Sequence, residues 1–490
     1  MNWIYLLIGV YGMAMAGIFL YSLVQGHLLW QFLKVAGHHR EQPVINENDW
    51  PRVTVQLPIY NEKYVVERLL DAVAALDYPA GKLEIQVLDD STDETTLIIR
   101  QKLSEYPHLD RRHIQRTSRQ GFKAGALKEG LKTAKGEFIA IFDADFVPDK
   151  LFLRKTIPYF ADKKTGMVQT RWTHLNKNYS LLTRLQAFAL DAHFLVEQVG
   201  RNAQHAFINF NGTAGVWRKT CILDAGNWEA DTLTEDLDLS YRAQKSGWGF
   251  LYLPEVASPA ELPPVMSALK SQQYRWTKGG AECARKHLWS VLSAGFPLKT
   301  KVHATAHLLN STIFMAILTV SLLSVPIWVL GNMDLLPPWM WDYGYLFMIG
   351  FVIISLVYFV ANSYEEKKWH RKLFQFIWHL PLFLAVSMGM ALHNSIAVWE
   401  GLTGKKTPFI RTPKFNLSQS NSNWKSNRYL NFNLPVSTYV EGGMALLFTV
   451  LVAVSFVSGL FILLPFHLFL AVGYGLVFLM SYRSRLRAKT

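Results

Sequence analysis

The first charged side chain in this sequence is Lys34, and four later stretches, residues 302–333, 343–364, 373–399 and 442–482, contain no Asp, Glu, Lys or Arg. A helix needs about 20 apolar residues to cross a bilayer, so this clumping predicts a multipass membrane protein. Between the first apolar run and residue 302 the pattern changes. Short β-rich runs recur at residues 53–57, 84–88, 137–142 and 166–171, with helical periodicity over 62–76, 123–134 and 181–199. Alternating strand and helix predicts an α/β domain built on a mostly parallel sheet and inserted between transmembrane helices.

Composition agrees: half of the 490 residues are apolar and 18% are charged, below the roughly 25% of soluble domains. The N-terminal run lacks a basic flank and continues past Ala14-Met15-Ala16, so it reads as a retained span rather than a signal peptide. Cys221 and Cys283 are the two cysteines, too few for a disulfide framework or a thiolate metal cluster. The net charge of +13 could suggest nucleic acid, but the basic residues gather beside the spans, at Lys299 and Lys301, in 365–372, at Lys405 and Lys406, and at Arg483, Arg485, Arg487 and Lys489. They read as juxtamembrane charge facing a lipid bilayer, with no nucleic-acid partner.

Lys and Arg stay on the cytoplasmic side of short loops, and Lys34 and Arg40 follow the first span. The large domain is therefore expected in the cytoplasm, beneath the cell membrane (inner or plasma). The uncharged 442–482 segment, with Pro465 near its middle, reads as two spans joined by a tight turn. The 373–399 segment is read as an interfacial helix, giving five spans; six is the alternative. The predicted order is a first span (1–33), the cytosolic domain (34–266), interfacial helices (267–301), two spans (302–364), an interfacial helix and loop (365–440), then two spans and a basic tail (441–490).

Three predicted strands end in polar groups: Pro58-Ile59-Tyr60-Asn61-Glu62, Asp89-Asp90-Ser91 and Asp143-Ala144-Asp145. In open α/β sheets ligands bind beyond the carboxyl ends of the strands, so these groups share one edge. Residues i and i+2 of an extended chain point the same way. Asp143 and Asp145 can thus face one cation, and hard oxygen ligands suit Mg²⁺ or Mn²⁺ completed by a diphosphate. Strand-end capping is the competing account, and a second such pair, Asp236-x-Asp238, shows how little the spacing says alone. Asp89 or Asp90 can accept from a nucleobase or ribose, or cap the following helix. Lys123, between Gly121 and Gly125, lies at a helix start where backbone amides favour phosphate. Thr234-Glu235-Asp236 opens an amphipathic helix, where a carboxylate can serve as general base for a sugar hydroxyl or as an N-cap. Gln272, Arg275 and Trp276 share one helix face; an amide, a guanidinium and an indole suit a sugar, or a membrane-interface belt.

Together these motifs resemble family 2 glycosyltransferases of the cellulose-synthase superfamily, with a likeness to the cellulose-synthase-like A group, the mannan and glucomannan synthases. The blocks are 56–62 (QLPIYNE), 85–93 (IQVLDDSTD), 121–127 (GFKAGAL), 141–146 (IFDADF), 193–198 (HFLVEQ), 210–218 (FNGTAGVWR), 234–239 (TEDLDL), 272–276 (QQYRW) and 409–414 (FIRTPK). The resemblance implies a nucleotide-diphospho-sugar transferase fold. It places Glu62, Asp89 and Asp90 on the base and ribose, with Lys123 and Asp143 also on the nucleotide, and Asp143 and Asp145 on Mg²⁺ or Mn²⁺. Asp236, beside Glu235, would be the base. Gln272, Arg275 and Trp276 would hold the acceptor end and diphosphate, while Phe210, Asn211, Gly212 and Thr213 line the acceptor site. Phe409, Thr412 and Lys414 would belong to a gating loop, in which Arg411 departs from the Val of many cellulose synthases.

The function expected is a processive, inverting synthesis of a β-linked glycan (β-mannan, glucomannan or β-glucan). Its partners would be a nucleotide sugar, GDP-mannose or UDP-glucose, and the growing glycan chain, which passes across the membrane. A non-processive transferase acting on a membrane lipid is one rival, and a nucleotide-sensing membrane transporter is another. The uncharged spans count against the transporter.

Overall fold

A computed structural model describes residues 2–38, 40–342, 346–364, 368–417, 427–430 and 434–489. Part of the basic cluster at 365–372 and of the polar loop before the final helices lies outside the described residues. Strands β1 (Val53–Ile59), β2 (Leu83–Asp89), β3 (Asp110–Gln115), β4 (Phe138–Ile141), β5 (Thr165–His174), β6 (Gly215–Arg218) and β7 (Gly249–Ala260) form one sheet in the order β3-β2-β1-β4-β6-β5-β7. Strand β1 runs parallel to β2 and β4, β2 to β3, and β5 to β7, while β6 is antiparallel to both its neighbours. The helices of this domain are α1 (Asn2–Val35), which leads into it, then α2 (Val66–Ala74), α3 (Thr95–Ser104), α4 (Phe122–Thr133), α5 (Phe152–Thr156), α6 (Leu181–Asp191), α7 (Gln198–Ala203), α8 (Lys219–Asp224) and α9 (Glu235–Lys245). After them come α10 (Met266–Ser293), α11 (Leu298–Leu308), α12 (Ile313–Asn332), α13 (Trp339–Asp342), α14 (Leu346–Ser363), α15 (Trp369–Gly389), α16 (Ala391–Thr403), α17 (Val436–Ser458) and α18 (Leu464–Lys489).

Why the sheet forms is visible in β4. Successive side chains of a strand face opposite ways: Phe138 and Ala140 enter one core with Val55, Leu57 and Phe152, while Ile139 and Ile141 enter the other with Leu127, Trp217 and Trp228. Helix α2 closes the first core with Val66, Leu69, Leu70 and Val73, all buried, the i, i+3, i+4, i+7 stripe of an amphipathic helix. The helical periodicity over 181–199 resolves into α6 and α7 joined by a π-turn, Ala192–Glu197.

By length and composition, five described helices can cross a membrane: Trp3–Val35, Asn310–Asn332, Trp369–Gly389, Val436–Ser458 and Leu464–Arg485, with Met348–Ser363 shorter. The uncharged 373–399 stretch is not one helix but two, α15 and α16, breaking at Met390. Helix α15 touches the sheet domain, where Phe188 of α6 meets His379 and Phe383, and crosses α18 at Gly389 and Gly473. A Cβ on either glycine would strike the other helix's backbone. Helix α16 lies along α10.

Helix α10 is also fastened to α17. Lys270 Nζ lies 2.5 Å from Glu441 Oε2, both side chains almost wholly buried. Removing one partner of a buried pair strands a charge, at a cost of about 3–5 kcal/mol. Glu441→Met and Lys270→Met should each lower the thermal unfolding temperature of the detergent-purified protein, while the double replacement regains most of the loss. Equal losses in all three variants would show that packing rather than charge holds this joint.

Candidate active site

Strands β1, β2 and β4 deliver their carboxyl ends to one cleft, which α4, α9, α10 and the 405–417 segment complete. Glu62, Asp90, Lys123, Asp143, Asp145, Asn211, Gly212, Glu235, Asp236, Gln272, Arg275, Trp276, Phe409, Thr412 and Lys414 all line it. Lys123, in the first turn of α4, reaches Asp143 Oδ1 at 2.6 Å and donates to Gly212 O at 2.8 Å. Burial works against the Lys123 charge, but Asp143, Glu235 and Asp236 outweigh it and hold the ammonium above its ordinary value.

Asp145 is buried at the exit of β4. Its Oδ2 meets Lys414 Nζ at 2.7 Å, and its buried Oδ1 has no hydrogen-bond partner among the described residues. A carboxylate oxygen left bare beside Asp143 fits a hard divalent cation, which takes oxygen ligands. Glu62 forms an ion pair with Arg411 at 2.6 Å; burial pushes its carboxyl up to about 7, against the pull of Arg411 and Lys414.

Glu235 and Asp236 open α9. Burial and the adjacent Glu235 charge push the Asp236 carboxyl well above the usual carboxylate range, with Lys123 opposing. Asp236 Oδ1 accepts from Leu237 N at 2.9 Å. Gly212, at φ +80°, lies against the other oxygen, where a Cβ would stand 3.0 Å from Asp236 Oδ2. The second Asp-x-Asp carboxylate, Asp238, belongs to the core: His287 and Lys286 each reach it at 2.8 Å, and Arg242 at 2.7 Å. Lys286 also reaches Glu229 and Asp231, so a lysine already fills the one group of three acids whose oxygens lie within 4.8 Å of one another among the described residues.

The 405–417 segment threads across the cleft. Lys278 donates to Lys405 O at 2.6 Å and Thr407 Oγ1 at 2.7 Å, and Arg275 Nη2 donates to Thr412 Oγ1 at 2.8 Å. Phe409 stacks on Phe122, ring centroids 5.5 Å apart. Beyond Lys414, Glu261 Oε2 accepts from the backbone N–H of Phe415 and Asn416.

Three expected site residues do not face the cleft. Asp89 is turned into the domain, where His113 (2.9 Å), Thr96 (2.7 Å) and the Ser91 N–H (2.9 Å) use its oxygens; burial would raise its carboxyl, but these contacts outweigh that and hold it low. Phe210 is fully buried against Trp217 and Trp228. Thr213 is also buried and accepts from Asp143 N at 2.8 Å, supporting the carboxylate from behind. Asp90 lines the cleft with its carboxylate held by Arg116. Sequence reasoning missed Arg119, which stacks on Tyr60 at 3.3 Å, and Trp172 and His174 on the opposite wall. Arg119 sits in a polar loop, and the other two follow a run that already reads as strand.

An open, mostly parallel sheet whose strand ends carry paired aspartates above a basic helix start defines a nucleotide-diphospho-sugar transferase fold. Residues 51–279 match the model of the glycosyltransferase like family 2. A glucomannan 4-β-mannosyltransferase 1 of Oryza sativa subsp. japonica is 35% identical over 406 residues, covering 80% of this chain and 75% of that protein. A probable glucomannan 4-β-mannosyltransferase 2 of the same species is 42% identical over 260 residues, covering 52% and 45%. The chain thus spans about half the length of several of the curated relatives it matches. Among solved structures, the mannosyltransferase PcManGT from Pyrobaculum calidifontis, in complex with GDP-Man and Mn²⁺, shares the fold at 20% identity and a TM-score of 0.56, over 82% of this chain and all of that one. The chain belongs to the family 2 glycosyltransferases of the cellulose-synthase superfamily.

Asp236→Asn should leave nucleotide-sugar binding intact and lower transfer by about 10²–10⁴-fold, the usual worth of a general base. A base acts only when ionised. With its carboxyl pushed up, the unaltered enzyme should lose transfer as pH falls through values well above the ordinary carboxylate range. Loss of donor affinity together with turnover would make Asp236 a binding residue instead.

Proposed function

We propose that the protein is an inverting, processive glycosyltransferase that builds a β-linked glycan from a nucleotide sugar. GDP-mannose is favoured as donor, because the relatives are glucomannan mannosyltransferases and the solved neighbour was captured with GDP-Man and Mn²⁺. UDP-glucose is second. The observation that carries the reading is the convergence of Asp143, Asp145, Asp236, Gln272, Arg275 and Trp276 in one cleft.

In this reading Asp236 takes the proton of the acceptor hydroxyl as its oxygen attacks the anomeric carbon of the donor, and the nucleoside diphosphate leaves from the opposite face. One displacement inverts the anomer, so an α-linked donor yields a β-linkage. A Mg²⁺ or Mn²⁺ ion held by Asp143 and Asp145 would neutralise the diphosphate. Lys123 and Arg275 face the same charge. Arg411 and Lys414, paired with Glu62 and Asp145, would turn toward the diphosphate when donor and cation enter, and a segment so displaced can close over the donor and exclude water. Phe409, Thr412 and Lys414 then act as a gate. The catalytic domain, 34–266, faces the cytoplasm of a multi-pass protein of the cell membrane, and the glycan leaves through the helices that flank it. The packing of α16 along α10 supports an interfacial course for 391–399, whereas α15, which packs against α18, is long and apolar enough to cross.

Membranes containing the protein, supplied in parallel with radiolabelled GDP-mannose and UDP-glucose, should place label from GDP-mannose in a long polymer that β-mannanase degrades. Label confined to a lipid carrying one sugar would overturn processivity, and label in no product would overturn the function. Transfer should also stop in EDTA and resume with Mg²⁺ or Mn²⁺, and Asp145→Asn should reduce it by several orders of magnitude. Undiminished turnover in EDTA would remove the metal from the mechanism.

A further inference from the structure

The 193–198 block has no role in the chemistry above, although it lies close to it. In an α-helix, residues five apart diverge by about 140° around the axis. Here the π-turn intervenes, Gln198 N donates to His193 O, and both side chains reach the same atom, Asn211 Oδ1. Gln198 Nε2 donates to it at 3.3 Å, His193 Nε2 faces it at 3.5 Å, and Asn209 Nδ2 donates to it at 2.9 Å. Two amide N–H donors on one oxygen fix which way the Asn211 amide points, and His193 Nε2 adds a third only in the doubly protonated ring, because Nδ1 gives its proton to Glu197. Its other end, Nδ2, is buried and has no partner among the described residues, although Asn211 lines the catalytic cleft.

The frame behind it is anchored on all sides. His193 Nδ1 is 3.0 Å from Glu197 Oε2, which Arg201 also meets at 3.1 Å. Gln25 of α1 donates to Glu197 Oε1 at 2.9 Å. Asn211 N donates to Gln169 Oε1 at 3.0 Å, and Phe210 N to Ser240 Oγ at 2.9 Å. The next residue, Gly212, is the one whose backbone lies against Asp236. An acceptor hydroxyl that gives its proton to Asp236 therefore brings its sugar within a residue of Asn211. A buried N–H group without a partner is costly, and a sugar hydroxyl would satisfy it.

We propose that Asn211 Nδ2 donates to a hydroxyl of the terminal acceptor sugar, and that His193 and Gln198 are positioning residues that hold the amide in that orientation. This rests on the transferase reading above, in which the family likeness already puts Asn211 at the acceptor, and adds to it the residues that set its orientation.

The test is initial-rate kinetics of the full-length protein with nucleotide sugar and a short β-manno-oligosaccharide acceptor. His193→Leu and Gln198→Leu should each raise the KM for the acceptor by roughly tenfold, the equivalent of one hydrogen bond. The donor KM and the slow hydrolysis of donor by water should not change. His193→Gln, which restores an N–H near the position of Nε2, should recover most of the loss. In an Asn211→Ala background neither Leu replacement should raise the acceptor KM further, because both act through the missing amide. An unchanged acceptor KM, or losses that add to that of Asn211→Ala, would overturn the assignment. If His193→Leu fails to fold, Gln198→Leu decides by the same criteria. No transfer by the unaltered protein would instead overturn the transferase reading, and this assignment with it.

Discussion

The molecule is organised around negative charge held away from water. Glu62, Asp143, Asp145, Glu235 and Asp236 share one cleft, and bare carboxylates at such spacing in a dry site repel one another and lose their solvation. Four cations make the arrangement tenable: Lys123 from α4, Arg275 from α10, and Arg411 and Lys414 from the segment beyond α16. The sheet, the long helix α10 and the segment beyond α16 therefore meet where they do because none can close the cleft alone. A substrate rich in phosphate would add negative charge to a site that already has an excess of it. In the proposed reaction it would enter with a divalent cation and with Arg411 and Lys414 turned from Glu62 and Asp145 toward the phosphates.

Much of this was legible along the chain because it is local. Strands β1, β2 and β4 are apolar runs, and the polar groups follow their ends closely, so strand direction carries Asp143, Asp145 and Glu62 to the cleft through the short turns after β4 and β1. Helix faces carried as far: the spacing of Gln272, Arg275 and Trp276 puts all three on the cleft wall. Strand β3, Asp-Arg-Arg-His-Ile-Gln, escaped notice because none of its residues is buried, so neither face writes an apolar pattern into the sequence. Strand β6 escaped because four residues carry too little pattern.

Asp89 shows the other limit. It closes β2, as Asp143 closely follows β4, yet His113 and Thr96 turn it inward, and they come from the next strand and the next helix. Burial of Phe210 depends on Trp217 and Trp228, and the pairing of Arg411 with Glu62 joins distant parts of the chain. Such contacts are decided by how elements pack. The π-turn is equally silent in the sequence, since one residue added to a helix shifts its phase without altering its composition.

The pairing of Lys270 with Glu441 bears on how the chain is assembled during synthesis. Ribosomes deliver α10 long before α17, so Lys270 emerges without its counter-ion and remains hydrated until the last two helices are in place. Arg411 and Lys414, which cover the acidic cleft, also come late, between α16 and α17. It follows that a nascent chain cannot complete its cleft until the segment beyond α16 has been made, and a chain stalled before that point keeps the cleft open to water.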